Sequence, residues 1–448
     1  MKPLYRLVVC FLFLSYASIG QEVEFKGGVE VMGILSSEEG NPFWLYSNTN
    51  TQVGSGSAIA TSIDGNAQYS LSNSSTLEAG LSVFYRDEVS DEVQRNNLYL
   101  QFKNTWLKAT LGSKAQTEWA NGLSTTNQNF LWSSNARAIP GLLIEANTPI
   151  QLTKSIGIDW GIGHYQLNDD RYVEDVRLHY KRLGAIFSFS GKSKLTARIQ
   201  HFAQWAGTSP DFGELPNDFK AFGKVFLAQK GEETFQEGEV TNAVGNHLGS
   251  YFLQYEFDAA VGDFAVYHEH PFEDGSGTAF KNIPDGVWGV LFNPENSRFV
   301  KSILLEYVTT KDQSGADTGR DSDNYFNNTV YRSGWTYEGN IIGLPFILAN
   351  AQESVSPVSS VILSSRVSAI HLGVSGAIRE LEWKLKSTYA QQFGTFQDRI
   401  EPAISTWHNY VELNYPTQVY GIFTFIGGAD VSDTNSVVAA ALKYRYSF

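Results

Sequence analysis

The 448-residue chain contains one cysteine and two methionines. The cysteine, Cys10, falls in the leading segment MKPLYRLVVCFLFLSYASIG, where Lys2 and Arg6 flank the start of an apolar run from Leu7 to Leu14. Ser18 and Gly20 then sit three and one before a cleavage point, so residues 1–20 read as a secretory signal peptide. The run is far shorter than the ~20 residues of a spanning helix. Cys10 lies inside the run rather than at the cleavage point, which argues against a lipidated cysteine. The mature chain, residues 21–448, is then cysteine-free, which excludes disulfides and thiolate-bound metal in an exported protein.

Positive charge is also scarce. Without Lys2 and Arg6 the mature chain carries 31 basic against 47 acidic residues, a net charge of −16. That argues against nucleic acid as a partner. Long apolar runs are missing, so no segment can cross a membrane as a helix. Two catalytic signatures are missing as well: no glycine-rich phosphate loop joins a strand to a helix, and GSGS at Gly54 and GSG at Gly275 fall short of a nucleophile elbow.

What the chain does contain is period-two alternation. Val23, Phe25, Val29 and Val31 oppose Glu22, Glu24, Lys26 and Glu30. Leu195, Ala197 and Ile199 oppose Lys194, Thr196, Arg198 and Gln200, and Leu381, Trp383 and Leu385 oppose Glu382, Lys384 and Lys386. A strand sends successive side chains to opposite faces. Soluble β-sandwiches alternate too. Two features favour a transmembrane barrel: charge lies deep within the polar face, as a wet lumen permits, and aromatics cluster near strand ends. A membrane-crossing sheet must close, because lipid cannot satisfy an open edge. At the C-terminus, Val438, Ala440, Leu442, Tyr444, Tyr446 and Phe448 share one parity, and Lys443, Arg445 and Ser447 the other. A last strand ending in Phe448 resembles the insertion signal of outer-membrane barrels and points to the barrel assembly machinery as a partner.

One stretch breaks the alternation. In LPNDFKAFGKVFLAQKG, from Leu215, Asn217 or Asp218 can cap a helix in which Phe219, Phe222, Val225 and Phe226 recur at helical spacing. A helical insert is therefore expected near residues 215–246, with GEETFQEGEVTNAVGNHLGS as room for a second short helix, and packing in the lumen or at the periplasmic mouth. Turn-rich segments at 41–57, 115–141, 207–246, 268–285 and 311–334 read as loops at one barrel end or as folded plugs. Residues 21–448 form one domain.

The candidate chemistry is concentrated in those loops. In HEHPFEDGSG, His268 and His270 are two apart, whereas a zinc protease spaces its histidines four apart on a helix. Glu269, Glu273, Asp274 and Asp285 include no pair that sequence can single out for glycoside hydrolysis. KDQSGADTGRDSDN, from Lys311, carries four aspartates without the closing glutamate of an EF-hand. No metal or cofactor is expected. Trp44, Trp119, Trp132, Trp205, Trp288 and Trp335 lie beside Gly/Asn/Asp-rich segments. Indole faces can stack on the C–H faces of sugar rings while polar neighbours bind hydroxyls; the competing roles are membrane girdle and plug packing.

Several long segments carry a resemblance: NPFWLYSN at 41–48, SSNARAIPG at 133–141, HFAQWAGTSPDFGELPNDFKAFGKVF at 201–226, EDGSG with DGVWG at 273–289, and YFNNTVYRSGWTYEGNIIGLPF at 325–346. Together they resemble the capsule assembly Wzi family of outer-membrane proteins. The resemblance implies an all-β protein: a monomeric transmembrane antiparallel barrel of about eighteen strands, with helices on the periplasmic side. It also implies a non-enzymatic, lectin-like role in attaching and assembling capsular or exopolysaccharide at the cell outer membrane. The expected polysaccharide contacts are His201, Trp205, Glu273, Asp274, Trp288, Arg332 and Trp335. Two other readings remain open, a diffusion porin and a glycan hydrolase on a barrel scaffold.

Overall fold

Eighteen antiparallel strands realise the alternation, each paired with its sequence neighbour until the last meets the first. A computed structural model describes residues 23–189, 191–230, 244–315, 322–350, 361–433 and 435–448. The signal peptide expected at 1–20 and most of the stretch expected to hold a second helix lie outside the described residues. The strands are β1 (Val23–Ser36), β2 (Ile59–Ser72), β3 (Ser75–Arg86), β4 (Val93–Lys103), β5 (Leu107–Ser113) and β6, in two pieces (Gly141–Ala146 and Ile150–Thr153). Then come β7 (Ile156–Leu167), β8 (Val176–Phe189), β9 (Ser193–Trp205), β10 (Asn246–Ala259), β11 (Gly262–Phe272) and β12 (Gly286–Pro294). The last are β13 (Val300–Thr309), β14 (Val367–Ile378), β15 (Leu381–Gly394), β16 (Arg399–Pro416), β17 (Ile422–Ser432) and β18 (Ser436–Ser447).

Closure leaves no sheet edge, as a bilayer requires. The seam runs from Ser36 opposite Ala439 to Gly28 opposite Ser447. Beyond it, Gly27 and Phe448 exchange backbone hydrogen bonds, each 2.9 Å. A Cβ at Gly27 would come within 2.7 Å of the Phe448 ring, so the glycine makes room for that aromatic. The parity read from the last strand holds. Val438, Leu442, Tyr446 and Phe448 are exposed on the outer face, while Ala439 and Ala441 are buried. On that inward side Lys443 pairs with Glu30 at 3.6 Å and Arg445 with Asp64 at 2.8 Å.

Outward positions elsewhere are apolar and exposed, including Ile63, Leu183, Leu253, Leu305 and Ile370. Aromatics band this surface near both ends. Phe257, Phe264 and Phe292 stack in sequence across β10–β12, with centroids 5.1 and 4.5 Å apart. Toward the other ends of the strands, Trp288 opposes Tyr307 and Tyr389 opposes Trp407.

The connections are unequal. Those on the side of both chain ends are tight turns, such as 73–74, 154–155, 260–261 and 379–380, whereas the opposite side carries 37–58, 114–140, 206–245 and 310–366. Outer-membrane barrels place short turns in the periplasm and long loops outside, so the long connections are extracellular.

Three α-helices are described: α1 (Phe43–Tyr46), α2 (Phe219–Leu227) and α3 (Gly275–Thr278). α2 begins as expected, with the Asp218 carboxylate accepting from Ala221 N at 2.7 Å. Its location corrects the expectation. It belongs to the extracellular connection 206–245 and packs neither in the lumen nor at the periplasmic mouth, but on the outer wall. Ala221 and Val225 are buried against Ala203 and Trp205. These two share the parity of Ile199, which is exposed on the lipid-facing side. The inward residues of the same strand, Phe202 and Gln204, already contact the loops inside, so the apolar stripe of α2 finds its open apolar surface outside.

Candidate functional site

The extracellular connections do not stand away from the barrel: the described parts of three long ones fold into it, and Tyr172, Val173 and Leu215 of two others join the same buried cluster. Residues 37–58, 114–140 and 310–366 supply Phe43, Trp44, Phe130, Leu131, Trp132, Tyr325, Phe326, Trp335 and Phe346 to the largest buried apolar cluster. Inward residues of the wall, among them Phe202, Leu248 and Val308, complete it. The loops also bond to one another: Leu344 N donates to Phe130 O and Ser133 N to Ile342 O, both at 2.9 Å.

Buried backbone must find partners, and the wall supplies them. Glu306 of β13 accepts from Thr125 N and Ser124 Oγ, both at 2.7 Å, and from the Tyr267 hydroxyl. Glu269 of β11 accepts from Phe130 N at 2.8 Å. The Trp44 indole N–H donates to Thr388 Oγ1 at 3.0 Å, and Phe43 N donates to Asp430 at 2.9 Å. The charged parity of the strands thus partly serves to hold a plug. Glu269, flanked by two histidines in the sequence, has this anchoring role. Its neighbours His268 and His270 face outward, with His268 stacked on Trp288 at 3.6 Å. Among the described residues no group of acids and histidines is arranged to hold a metal ion.

On the periplasmic side of the plug lies a polar cavity of about 730 Å³, lined by Gln52 of the first plug loop and by Lys26, Glu30, Asp64, Asn97, Tyr99 and Arg445 of the wall. The polar cavity thus lies between the packed loops and the periplasmic end of the lumen.

The expected contact residues separate into three places. Trp335 is fully buried in the plug, its N–H donating to Leu131 O at 2.6 Å and its ring against Phe202 at 5.5 Å. No face of it is open to a sugar. His201 and Trp205 lie on the outer wall beneath α2. His201 Nε2 meets His247 Nδ1 at 2.9 Å, and the Trp205 ring packs on Phe222 at 5.5 Å. Trp288 is in the outward aromatic band, its N–H donating to Pro284 O at 3.0 Å. None of these four presents a ring to the extracellular loop surface. The sequence showed them beside polar loop residues; which way each ring turns depends on tertiary structure.

Glu273, Asp274 and Arg332 do lie in extracellular loops. Glu273 accepts from Phe326 N at 2.8 Å, and burial, with the Asp323 and Asp274 carboxylates nearby, pushes its carboxyl well above the usual range. Asp274 is exposed and caps α3, accepting from Ser276 N at 2.7 Å and Gly277 N at 3.1 Å. Partial burial works against its charged form, but those bonds and the Ser276 hydroxyl hold its pKa below the ordinary value. Asp323 is pushed up to about 7, first by burial and then by the charge of Asp274. Asp285 is pushed up to about 6 by burial, against bonds from Gln313 N and Asp312 N.

Arg332 stands in a small cluster of its own. Its guanidinium pairs with Asp211 at 2.5 Å and lies 4.8 Å from the centre of the Tyr172 ring. Phe212 beside Asp211 is exposed. Tyr172, Asp211 and Phe212 were not singled out from the sequence. The dipeptide at 211–212 sits within one of the long resembling segments, but only the fold brings it to Arg332, 121 residues away.

Solved structures with this architecture exist. Escherichia coli Wzi, described as an outer membrane protein involved in group 1 capsule assembly and a carbohydrate-binding β-barrel, superimposes with a TM-score of 0.61 at 12% identity, covering 98% of this chain and 87% of that one. Pseudomonas aeruginosa OccK3 (OpdO) gives 0.52 at 10% identity over 95% of this chain and 96% of that one. Pseudomonas aeruginosa OccK2 (OpdF) gives 0.51 at 11%, over 96% and 99%. Such identities speak to fold alone. No curated protein matches the sequence. The model of the family described as capsule assembly protein Wzi matches residues 17–347, well over half the chain, and the chain belongs to that family of outer-membrane barrels.

Proposed function

We propose that the protein binds surface polysaccharide at the outer membrane and takes part in attaching and assembling capsule or exopolysaccharide, without turning the glycan over. The observation that carries this reading is the plug. In a member of a capsule assembly family, extracellular loops packed into the lumen favour an external binding face over an open diffusion path. The Escherichia coli relative described as carbohydrate-binding supports the same class of ligand.

Of the expected contacts, the reading retains Arg332, Glu273 and Asp274, and adds Asp211, Tyr172 and Phe212. A half-buried arginine paired with an exposed aspartate over a buried tyrosine, beside an exposed phenylalanine, offers charged hydrogen bonds to hydroxyls or uronate carboxylates and an apolar platform for a ring. The protein acts as a monomer and reaches the membrane through the barrel assembly machinery, which reads the β18 strand ending in Phe448.

The test is binding of the detergent-folded protein to polysaccharide from its own host. Saturable binding is expected, weakened about tenfold or more by Arg332→Ala through loss of a charge-assisted hydrogen bond and largely restored by Arg332→Lys. Arg332 is half-buried over Tyr172, so thermal unfolding of the variant is measured beside binding to separate lost contact from lost fold. Absence of binding by a folded barrel that instead conducts ions in planar bilayers would replace this reading with the channel one.

A further inference from the structure

α2 does not lie flush on the wall. Between its first turn and strands β6–β9 runs a cleft of about 520 Å³, walled by Leu142, Ile144 and Ile162 of the barrel, Trp205, and Phe219 and Phe222 of the helix. Its volume is in the range of small-molecule sites.

Three observations say what fills it. Leu142 and Ile162 are exposed on the lipid-facing side of the wall, so the cleft opens into the hydrophobic band. Phe219 is 89% exposed and Leu227 62%, at the extracellular ends of the strands, as for a helix lying in the outer-leaflet interface. Cationic groups lie beside this apolar space. Arg177 lines the cleft, donates to Asn217 O at 3.1 Å and lies 5.2 Å from the Trp205 ring centre. Lys181 donates to Phe226 O and lies 4.5 Å from that ring. Asp218 also lines the cleft, but its carboxylate is engaged by Ala221 N. The buried Trp205 indole N–H has no acceptor among the described residues; an ester or phosphate oxygen beside it would supply one.

We propose that this cleft is a lipid site, in which one acyl chain of an outer-leaflet lipid lies between α2 and the wall and its phosphate is held at Arg177. An acyl chain matches the apolar walls, and an anionic headgroup matches the guanidinium. α2 is on this reading a clasp on the membrane rather than a piece of the plug.

The test uses the full-length protein in detergent, titrated with phosphatidylglycerol carrying a dibrominated acyl chain, with tryptophan fluorescence as readout. Trp205→Phe identifies the share of quenching that arises in the cleft. That share is expected to saturate, and to need about fivefold more lipid in Arg177→Gln or with the zwitterionic phosphatidylcholine bearing the same bromines, the weight of one cationic side chain near a membrane surface. Heat-modifiable gel migration shows that each variant is folded. Equal quenching by both lipids, or a phosphatidylglycerol preference that survives Arg177→Gln, overturns the proposal. So does quenching unaffected by Trp205→Phe, because the chain is then not in the cleft.

Discussion

Replacing Trp335 by alanine separates two roles that one residue could have. The ring is fully buried between the plug loops and Phe202, and its N–H bonds to Leu131 O at 2.6 Å. Trp→Ala in such a position costs ~3–5 kcal/mol. At 1.4 kcal/mol per decade this raises local opening of the plug by roughly two to three and a half orders of magnitude. The barrel ladder is untouched, so the loss should be confined to the loops. Trp335→Phe keeps most of the packing and loses the bond to Leu131, about 1 kcal/mol for that bond. The assay is amide hydrogen exchange at residues 130–135 and 325–346, with planar-bilayer conductance alongside. The alanine variant should exchange faster in both segments and pass current in bursts, while β1–β18 keep their protection; the phenylalanine variant should sit close to wild type. Unchanged exchange in the alanine variant would refute the plug assignment. A loss of glycan binding with full plug protection would return Trp335 to the binding face.

Three further perturbations test neighbouring parts. Glu306→Ala strands Thr125 N and Ser124 Oγ in the lumen at ~1–3 kcal/mol each, and Glu306→Gln, which keeps an acceptor, should recover much of it; equal exchange at 123–126 in the two variants would count against the anchor. Asp323 and Asp285 titrate near 7 and 6 in the folded loops, above the ordinary aspartate value of 3.8. The folded loops therefore bind more protons between about pH 4 and 7, and their stability is greatest at the acid end and falls as pH rises through that window. Exchange at 311–315, corrected for intrinsic rate, should quicken from pH 5 to 7.5 in wild type and less in Asp323→Asn, and an identical slope in both sinks the assignment. Deleting Phe448 removes two seam hydrogen bonds and the terminal aromatic, and should lower the amount of folded protein in the outer membrane; unchanged yield would show that the residue carries no assembly signal.

Much of the barrel was legible because period two is a local property. The inward Lys443 and Arg445 and the outward Leu442 and Tyr446 could be sorted from the order of residues alone, and each strand repeats the lesson. The α2 cap at Asp218 and the apolar spacing behind it were equally local. What spacing could not say is on which side of the wall the helix lies, because both the lumen and the exterior have apolar surface to offer. The outcome turns on Phe202 and Gln204 being occupied from within. The tryptophans fail for a related reason. Trp44 and Trp335 sit among Asn, Gly and Ser, which look solvated in sequence, yet those residues spend their polar groups on the plug's own turns and on the wall. The pairing of Arg332 with Asp211 is non-local and was invisible.

The plug also has a mechanical consequence. Its loops leave the wall at β1, β5 and β13, and their buried segments are fastened to other strands, Trp44 to β15, Phe130 to β11 and Phe43 to β17. A pull on the outer loops is therefore not borne by one hairpin. The load divides across several staves of a closed hoop, and each fastening must be broken before the chain can be drawn out.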